Sequence, residues 1–239
     1  SMIQHNELTI DGVRTSSFPY QIIVKESPVI NIGDSKTTFI SHRGISGYIS
    51  QTNKHREVVE KKYTINLVKP TEQQVYEFKT LLSREGFWLE NEQVKLTKWW
   101  CYRANKYESM RDEHGIYTLE VTFVCHPTNY MKQNNVQILN SNGAIETQGS
   151  ALAFPKITVI GNGTTQFTVG RQVIKLENLR EQAVMINDPA KPSFKDKTGN
   201  LIKWSGDFIT LDPTKEQHVG VVFGSGIQQI TFETLWGWV

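Results

Sequence analysis

The sequence predicts a mainly β protein with two domains and a single helix. Three observations predict this class. The stretch from Ile116 to Cys125 alternates between apolar and polar residues, only the stretch from Thr71 to Glu85 has helical spacing, and the second half carries repeated turn signals. The composition agrees, because 38% hydrophobic and 21% charged residues are typical of globular domains and argue against disordered or fibrous chains.

Charge and cysteine content narrow the functional classes. A net charge of +2 is small for a dedicated nucleic-acid binder. No run of apolar residues is long enough to predict a membrane span, and the polar stretch from Ser1 to Leu8 is not typical of a signal peptide. Two cysteines, Cys101 and Cys125, cannot form a disulfide scaffold in 239 residues. We therefore expect a protein that folds in a reducing cytoplasm, with both thiols buried.

Alternation predicts the strands. In the stretch from Ile116 to Cys125, one face carries Tyr117, Leu119, Val121, Phe123 and Cys125. The stretch from Val59 to Leu67 behaves similarly, with Tyr63, Ile65 and Leu67 inward. Further short strands are predicted at Tyr20 to Val24, Lys156 to Ile160, Asp207 to Leu211 and Ile227 to Phe232.

One helix is predicted at about residues 71–85. Thr71 and Gln74 have the spacing of a capping box, in which each side chain bonds the other residue's backbone amide. Val75, Phe78 and Leu82 recur at helical spacing and should face a sheet, and Gly86 supplies a stop.

A domain boundary is predicted where the strong strand pattern breaks, at the polar stretch HPTNYMKQNNVQ. This gives an N-terminal domain of residues 1–133 and a C-terminal domain of residues 134–239. The second domain has no convincing helix. Its hairpin signals, which predict a β-sandwich or barrel, are Asn142-Gly143, Asn162-Gly163, Thr198-Gly199-Asn200 and Gly224-Ser225-Gly226.

No catalytic or metal site is predicted. The six histidines lack the spacing of a zinc-binding helix, and neither cysteine belongs to a CxxC pair. Cys125 and His126 are adjacent on a strand, so their side chains should point to opposite faces. Glu90 and Glu92 could form the carboxylate pair of a sugar hydrolase, but a polar rim is the favoured interpretation. The expectation is a protein without enzymatic activity, cofactor or metal.

Two aromatic blocks admit two interpretations each. Alternation puts Trp99 with Cys101 on one face of a strand and Trp100 with Tyr102 on the other. This predicts a central strand covered on both sides, or a strand with one face docked on a neighbouring subunit. The terminal run Leu235-Trp236-Gly237-Trp238-Val239 poses the same choice, and burial of the last strand in a core is favoured.

The long polar stretch from Ser41 to Lys62 predicts an extended hairpin. It is either a solvated surface hairpin or an arm that clasps a neighbouring subunit. The candidate residues of such an arm are Arg43, Tyr48, Ile49, Lys54 and Arg56.

Six stretches carry a resemblance that extends over nearly the whole chain. They are MIQHNELTIDGVRTSSFPYQIIV, GISGYISQTNKHREVVEKKYTINLVKPTEQQ, FWLENEQVKLTKWWCY, GSALAFPKITVIG, IKWSGDFITLD and FETLWGWV. Together they resemble the distal tail proteins of lactococcal siphophages with multi-armed baseplates.

The resemblance implies an assembly role. Members form a hexameric ring at the end of the phage tail. Their N-terminal ring domain is β-barrel-like with one helix, and a long hairpin embraces the next subunit. Their C-terminal domain is a galectin-like β-sandwich. The implied partners are other copies of the chain, the major tail protein, the tail-associated protein and the receptor-binding components of the baseplate. DNA would only pass through the channel, and the implied location is the virion tail tip.

A second functional class stays open, a carbohydrate-binding β-sandwich module. Fold likeness to galectins does not transfer sugar binding, because a sugar site needs an aromatic platform beside polar groups. Trp204 is the one plausible platform in the second half. No carbohydrate-binding residues are implied by the resemblance itself.

Overall fold

The computed structural model describes residues 7–26, 58–108 and 111–239. Over these residues the chain is mainly β with a single α-helix, as the sequence predicts. The chain divides into two compact units, Ser1–Asn129 and Tyr130–Val239. The sequence placed the boundary at 133/134, within the same polar stretch.

The N-terminal unit is built on an antiparallel sheet whose strand order is β2-β1-β5-β6-β7-β4-β3. In chain order its elements are β1 (Leu8–Ile10), β2 (Val13–Arg14), a 3-10 turn (Thr15–Ser17), β3 (Ile22–Glu26), β4 (Val59–Val68), α1 (Glu72–Leu82), β5 (Phe87–Asn91), β6 (Thr97–Glu108) and β7 (Ile116–Cys125).

Strands β4 and β7 are neighbours in this sheet and pair along their whole length, from Val59 opposite Cys125 to Val68 opposite Ile116. The strand β7 has the bounds that its alternation predicts. Its apolar face is buried because Leu119, Val121 and Phe123 pack into the main core of the unit. Tyr63 of β4 contacts Phe123 edge to face, with ring centroids 6.0 Å apart.

Helix α1 begins as the sequence predicts. The Thr71 hydroxyl accepts a hydrogen bond from the Gln74 amide at 3.2 Å, and the Gln74 side-chain oxygen accepts one from the Thr71 amide at 2.9 Å. The predicted capping box is therefore confirmed. The helix ends at Leu82, earlier than predicted, because the Ser83 amide bonds the Thr80 carbonyl and tightens the last turn.

The helix covers one face of the sheet. Val75, Phe78 and Leu82 are buried in the main core, as predicted, together with Leu81. Phe18 packs on Phe78 with ring centroids 5.5 Å apart, which holds the chain before β3 against the helix.

The C-terminal unit contains strands only, since its residues 130–239 are all described and include no helix. Strand β8 (Asn129–Met131) spans the boundary between the two units in the sequence. The strands that follow are β9 (Asn135–Leu139), β10 (Gly143–Glu146), β11 (Lys156–Val169), β12 (Gln172–Ile186), β13 (Ser193–Asp196), β14 (Trp204–Ser205), β15 (His218–Phe223), β16 (Ile227–Thr234) and β17 (Gly237–Trp238).

A long, bent hairpin of β11 and β12 organises this unit. The first part of β11, residues 156–161, pairs with β16, and its last part, residues 167–169, pairs with β15. The pairing of β11 with β12 is interrupted by a bulge between Gly163 and Thr165, and Glu181 of β12 has a positive φ of 62°. Bulges bend strands and increase their twist, so the bend divides the sheet into two halves.

The two halves share one core. Ile157 and Phe232 belong to the half that contains β16, whereas Phe167 and Val221 belong to the half that contains β15. All four are buried in the same apolar cluster. The unit is therefore a β-sandwich made by folding one sheet over itself.

Four predictions for the second half are wrong. Asn142-Gly143 is not a hairpin turn, because the strands on its two sides, β9 and β10, pair with β16 and β15 and not with each other. Residues Asp207 to Leu211 form no strand, because the Ile209 amide bonds the Asn187 side chain and Leu211 makes only an isolated bridge to Ala153. Asn162-Gly163 lies inside β11 at the bulge and is not a hairpin turn. Gly224-Ser225-Gly226 is not a hairpin turn either, because the strands it joins, β15 and β16, both pair with β11.

The chain end is held firmly within the C-terminal unit, as the sequence favours. Trp236 is fully buried, its indole nitrogen donates to the Asn135 side chain at 3.3 Å, and its carbonyl accepts from the Met131 amide. The carbonyl of Gly237 accepts from the amides of Ser150 and Ala151. The terminal aromatic block is therefore part of the fold and is not a free docking segment.

Candidate functional surfaces

The predicted arm is attached to the sheet of the N-terminal unit between β3 and β4. These strands pair antiparallel, with Ile22 opposite Leu67 and Glu26 opposite Tyr63. Residues 27–57 therefore connect two neighbouring strands. The five candidate arm residues, Arg43, Tyr48, Ile49, Lys54 and Arg56, fall in this range and lie outside the described residues.

The strand at the base of the arm is at the edge of the sheet. Within the described residues, β3 pairs with β4 alone. Lys25 and Glu26 at its end are exposed and charged. Charged residues at a sheet edge discourage indiscriminate strand pairing.

The aromatic block from Trp99 to Tyr102 is buried on both faces of β6. Trp99 and Cys101 belong to the main core that contains the helix, while Trp100 and Tyr102 pack with Val124 in a second, smaller cluster. None of the four side chains is more than 8% exposed. The interpretation as a strand covered on both sides is confirmed, so the block is a structural element of this unit.

Glu90 and Glu92 do not share a strand face. Strand β5 ends at Asn91, so Glu92 lies in the turn that follows, where its amide bonds the Glu7 carbonyl. Glu90 lies in β5 opposite Thr9, and its negative charge acts on the Lys98 ammonium. Burial nevertheless lowers the pKa of Lys98. Because one carboxylate lies on a strand and the other in a turn, Glu90 and Glu92 are not arranged as an acid–base pair.

Cys125 and His126 lie on opposite faces, as predicted. Cys125 packs in the main core, whereas the His126 ring lies 6.4 Å from the ring of Tyr102, whose cluster is on the other face of the sheet. The His126 Nδ1 accepts a hydrogen bond from the Thr128 amide at 3.0 Å. These contacts give both residues structural roles.

A charged cluster between α1, β6 and β7 has no local signal in the sequence. The Lys79 ammonium lies 2.5 Å from one oxygen of the Glu108 carboxylate, and the Tyr117 hydroxyl donates to the other oxygen at 2.5 Å. Lys79 first, and Tyr117 second, hold the pKa of Glu108 below its usual value, and Glu108 raises the pKa of Lys79. The cluster ties the helix to the ends of two strands.

A cleft of about 540 Å³ lies in the C-terminal unit at the bend of β11 and β12. It is lined by residues of both strands, of β14 and of the loop after β15; among them are Thr165, Gln166, Lys175, Glu177, Trp204 and Ser225. Trp204, the platform that the sequence singled out, therefore does lie in a cleft. The cleft itself could not be foreseen, because it depends on the bulge.

Over residues 7–26, 58–108 and 111–239, no group of three or more His, Cys, Asp and Glu side chains is arranged to hold a metal ion. In the same part of the chain, no helix has the length and apolar character needed to cross a membrane.

Comparisons with known proteins give a structural match. No protein-family model matches the sequence, and no curated protein matches it. The structure is similar to the crystal structure of the SPP1 Dit (gp 19.1) protein, which is described as a paradigm of the hub adsorption apparatus in phages that infect Gram-positive bacteria. The TM-score is 0.59 at 12% identity, and the match covers 99% of this chain and 100% of that chain.

A second solved structure is the phage P2 baseplate in its activated conformation with Ca. The match covers 74% of this chain and 79% of the chain in that structure, at 10% identity. Its TM-score of 0.43 is too low to support an argument. The match to SPP1 Dit extends over both units. The chain therefore has the fold of a phage Dit protein.

Proposed function

We propose that this protein is a structural subunit of a phage tail tip that assembles into a hexameric ring. The observation that carries the proposal is the likeness to SPP1 Dit over the full length of both chains. Because a fold alone does not fix a function, the proposal also draws on the way the arm is attached.

The arm supports ring formation for a physical reason. A ring is built by repeating one head-to-tail interface, and it closes only if each copy rotates by the right angle. Residues 27–57 join β3 to β4 in the sequence, and within the described residues β3 pairs with β4 alone. A segment reaching from this edge to the next copy would enlarge the interface and give the edge a partner.

The ring would act as a connector. Its partners in this proposal are further copies of the chain, the major tail protein, the tail-associated protein and the receptor-binding part of a baseplate. DNA passes through the channel without being held, which is compatible with a net charge of +2. The resemblance in sequence favours the lactococcal baseplate type, with an N-terminal ring domain and a galectin-like C-terminal domain. The proposal includes no catalytic role.

Light scattering coupled to size-exclusion chromatography tests the arm. We expect the full chain to form hexamers in a concentration-dependent way, and a deletion of residues 44–54 to shift the protein toward the monomer. A deletion variant that remains hexameric contradicts the role of the arm.

A second variant shows whether weaker assembly comes from the loss of side-chain contacts or only from the shorter connection between β3 and β4. Replacing residues 44–54 by a Gly/Ser segment of equal length keeps the connection between β3 and β4 but removes its side chains. It should assemble as poorly as the deletion. Circular dichroism and thermal melting of both variants should match the unaltered protein, because the core of the N-terminal unit is built from the described strands and helix α1.

A further inference from the structure

Five exposed residues share one side of helix α1, opposite the side that packs on the sheet. They are Glu72, Gln73, Tyr76, Glu77 and Thr80. Tyr76 is the largest of them, and 58% of its surface is exposed. We call this side of α1 the helix face.

The helix face carries two carboxylates that no cation neutralises. The Glu72 carboxylate accepts a hydrogen bond from the Tyr76 hydroxyl at 3.2 Å, and the Glu77 carboxylate accepts one from the Gln73 side chain at 3.1 Å. Neither carboxylate forms an ion pair within the described part of the chain. The ammonium of the adjacent Lys79 lies 5.6 Å from the Tyr76 ring, but its ion pair is with Glu108.

The sequence of the arm has the opposite charge. Residues 35–56 contain Lys36, Arg43, Lys54 and Arg56 but no Asp or Glu. They hold four of the 26 Lys and Arg residues and none of the 24 Asp and Glu residues, so the rest of the chain has a net charge of −2. This stretch therefore carries the whole positive excess of the protein, and it is complementary in charge to the helix face.

Strand β4 separates the helix face from the base of the arm. Residues 27–57 precede the start of β4 at Val59, whereas α1 follows the end of β4 at Val68. The ten residues of this strand rise about 33 Å, so the two features belong to opposite ends of it. A connection of the length of residues 27–57, fixed at both ends, extends at most about 50 Å. Complementary features at opposite ends of a strand suit a head-to-tail contact between copies, which is the contact that closes a ring.

We propose that the helix face of one copy binds the basic residues 35–56 of the next copy. This inference rests on the proposed ring and names the surface on which its arm docks. Glu72 and Glu77 pair with lysine or arginine side chains of the arm, and Tyr76 beside them supplies an exposed aromatic ring of the type enriched at interface hot spots. An arginine suits this surface because its guanidinium bonds a carboxylate through two N–H groups and also stacks on aromatic rings.

The charges of the helix face argue against other occupants. Its carboxylates repel the phosphate groups of a nucleic acid. A purely apolar segment would bury Glu72 and Glu77 without partners, which costs free energy. A basic segment is therefore the favoured occupant.

An exchange of charges between the two surfaces tests the pairing. Light scattering is measured on E72K/E77K and on R43E/K54E/R56E, each alone and then mixed in equal amounts. Each variant alone places like charges at every contact, so its association should weaken about ten-fold or more. The mixture should recover hexamers, because in an alternating ring every acidic arm meets a basic helix face and every basic arm meets an acidic one.

E92K/E113K is the matched control, since Glu92 and Glu113 are exposed, lie outside α1 and give the same change in net charge. It should assemble as the unaltered protein does. The inference is overturned if either reversed variant assembles as this control does, or if the mixture stays monomeric. Y76A, which leaves the charges unchanged, should also weaken association while its melting transition stays close to that of the unaltered protein.

A synthetic peptide of residues 35–56 keeps this test separate from that of the ring. Fluorescence anisotropy at low salt should show binding of the labelled peptide to the full-length protein, and E72K/E77K should weaken that binding about ten-fold or more. If the unaltered protein never assembles, the ring proposal fails and the peptide alone decides this inference. Equal peptide affinities of E72K/E77K and E92K/E113K, or no binding at all, would then overturn it.

Discussion

Cys101 and Cys125 are direct partners across the antiparallel strands β6 and β7, and both thiols are free and fully buried. The pairing is followed by a bulge between Cys101 and Arg103. Burial, reinforced by the hydrogen bond to Cys125, raises the pKa of the Cys101 thiol far above its ordinary value. Since the thiolate is the reactive form, this pair should be chemically inert in the folded protein.

Thiol labelling checks that expectation. A disulfide reagent such as DTNB at pH 8 should modify neither cysteine of the native protein, because both side chains are buried away from the reagent. In denaturant both should react rapidly. Stoichiometric labelling of the native protein without unfolding would contradict the packing described for β6 and β7.

The capping box of α1 predicts a measurable loss of stability. T71A removes the oxygen that accepts from the Gln74 amide and should lower the free energy of unfolding by about 1 kcal/mol in urea titrations. T71S keeps a hydroxyl at the same position and should stay within about 0.5 kcal/mol of the unaltered protein. Equal effects of both substitutions would show that the cap contributes little.

The buried face of α1 should be far more sensitive than its exposed face. Phe78 is fully buried against the sheet, and F78A should cost about 3–5 kcal/mol because it leaves a cavity. Tyr76 lies on the same helix with 58% of its surface exposed, so Y76A should cost no more than about 0.5 kcal/mol. The comparison is made by chemical denaturation at one pH, and similar values for both variants would be inconsistent with the orientation of the helix.

The Lys79–Glu108 pair should make a small contribution that disappears in acid. The pKa of Glu108 is lowered in the folded state, so its stabilisation is present above the unfolded pKa of about 4.3 and is lost as pH falls through the folded value. The pair is partly exposed and screened by solvent, which limits its contribution to about 0.2–1 kcal/mol.

E108Q tests this pH dependence. At pH 7 it should be less stable than the unaltered protein by that amount, and the difference should shrink as the pH falls through the lowered folded-state pKa of Glu108. E113Q is a control, because Glu113 is exposed and, among the described residues, its only ion pair is with its neighbour His114. A difference for E108Q that persists unchanged in acid would exclude the electrostatic explanation.

Local patterns in the sequence predict the elements whose stability is local. Alternation gives the bounds of β7, and the Thr71–Gln74 pair gives the start of α1, because side-chain periodicity and capping depend on neighbouring residues. The block from Trp99 to Tyr102 was correctly interpreted because a strand with apolar residues on both faces must be buried on both faces.

Long-range pairing explains what the sequence could not predict. Asn162-Gly163 has the composition of a turn, but the long hairpin of β11 and β12 absorbs it as a bulge. The cleft at Trp204 depends on that bulge and on the Gly224 loop, which are distant in sequence. The cluster of Lys79, Glu108 and Tyr117 joins three elements and leaves no local signature.

The measurement that bears most directly on the ring is electron microscopy of the purified full-length protein at a concentration where light scattering detects assembly. Class averages viewed along the symmetry axis should show closed particles of six-fold symmetry around a central channel. Averages that show single two-unit particles, or open chains without rotational symmetry, would contradict the proposal that this fold is a tail-tip ring.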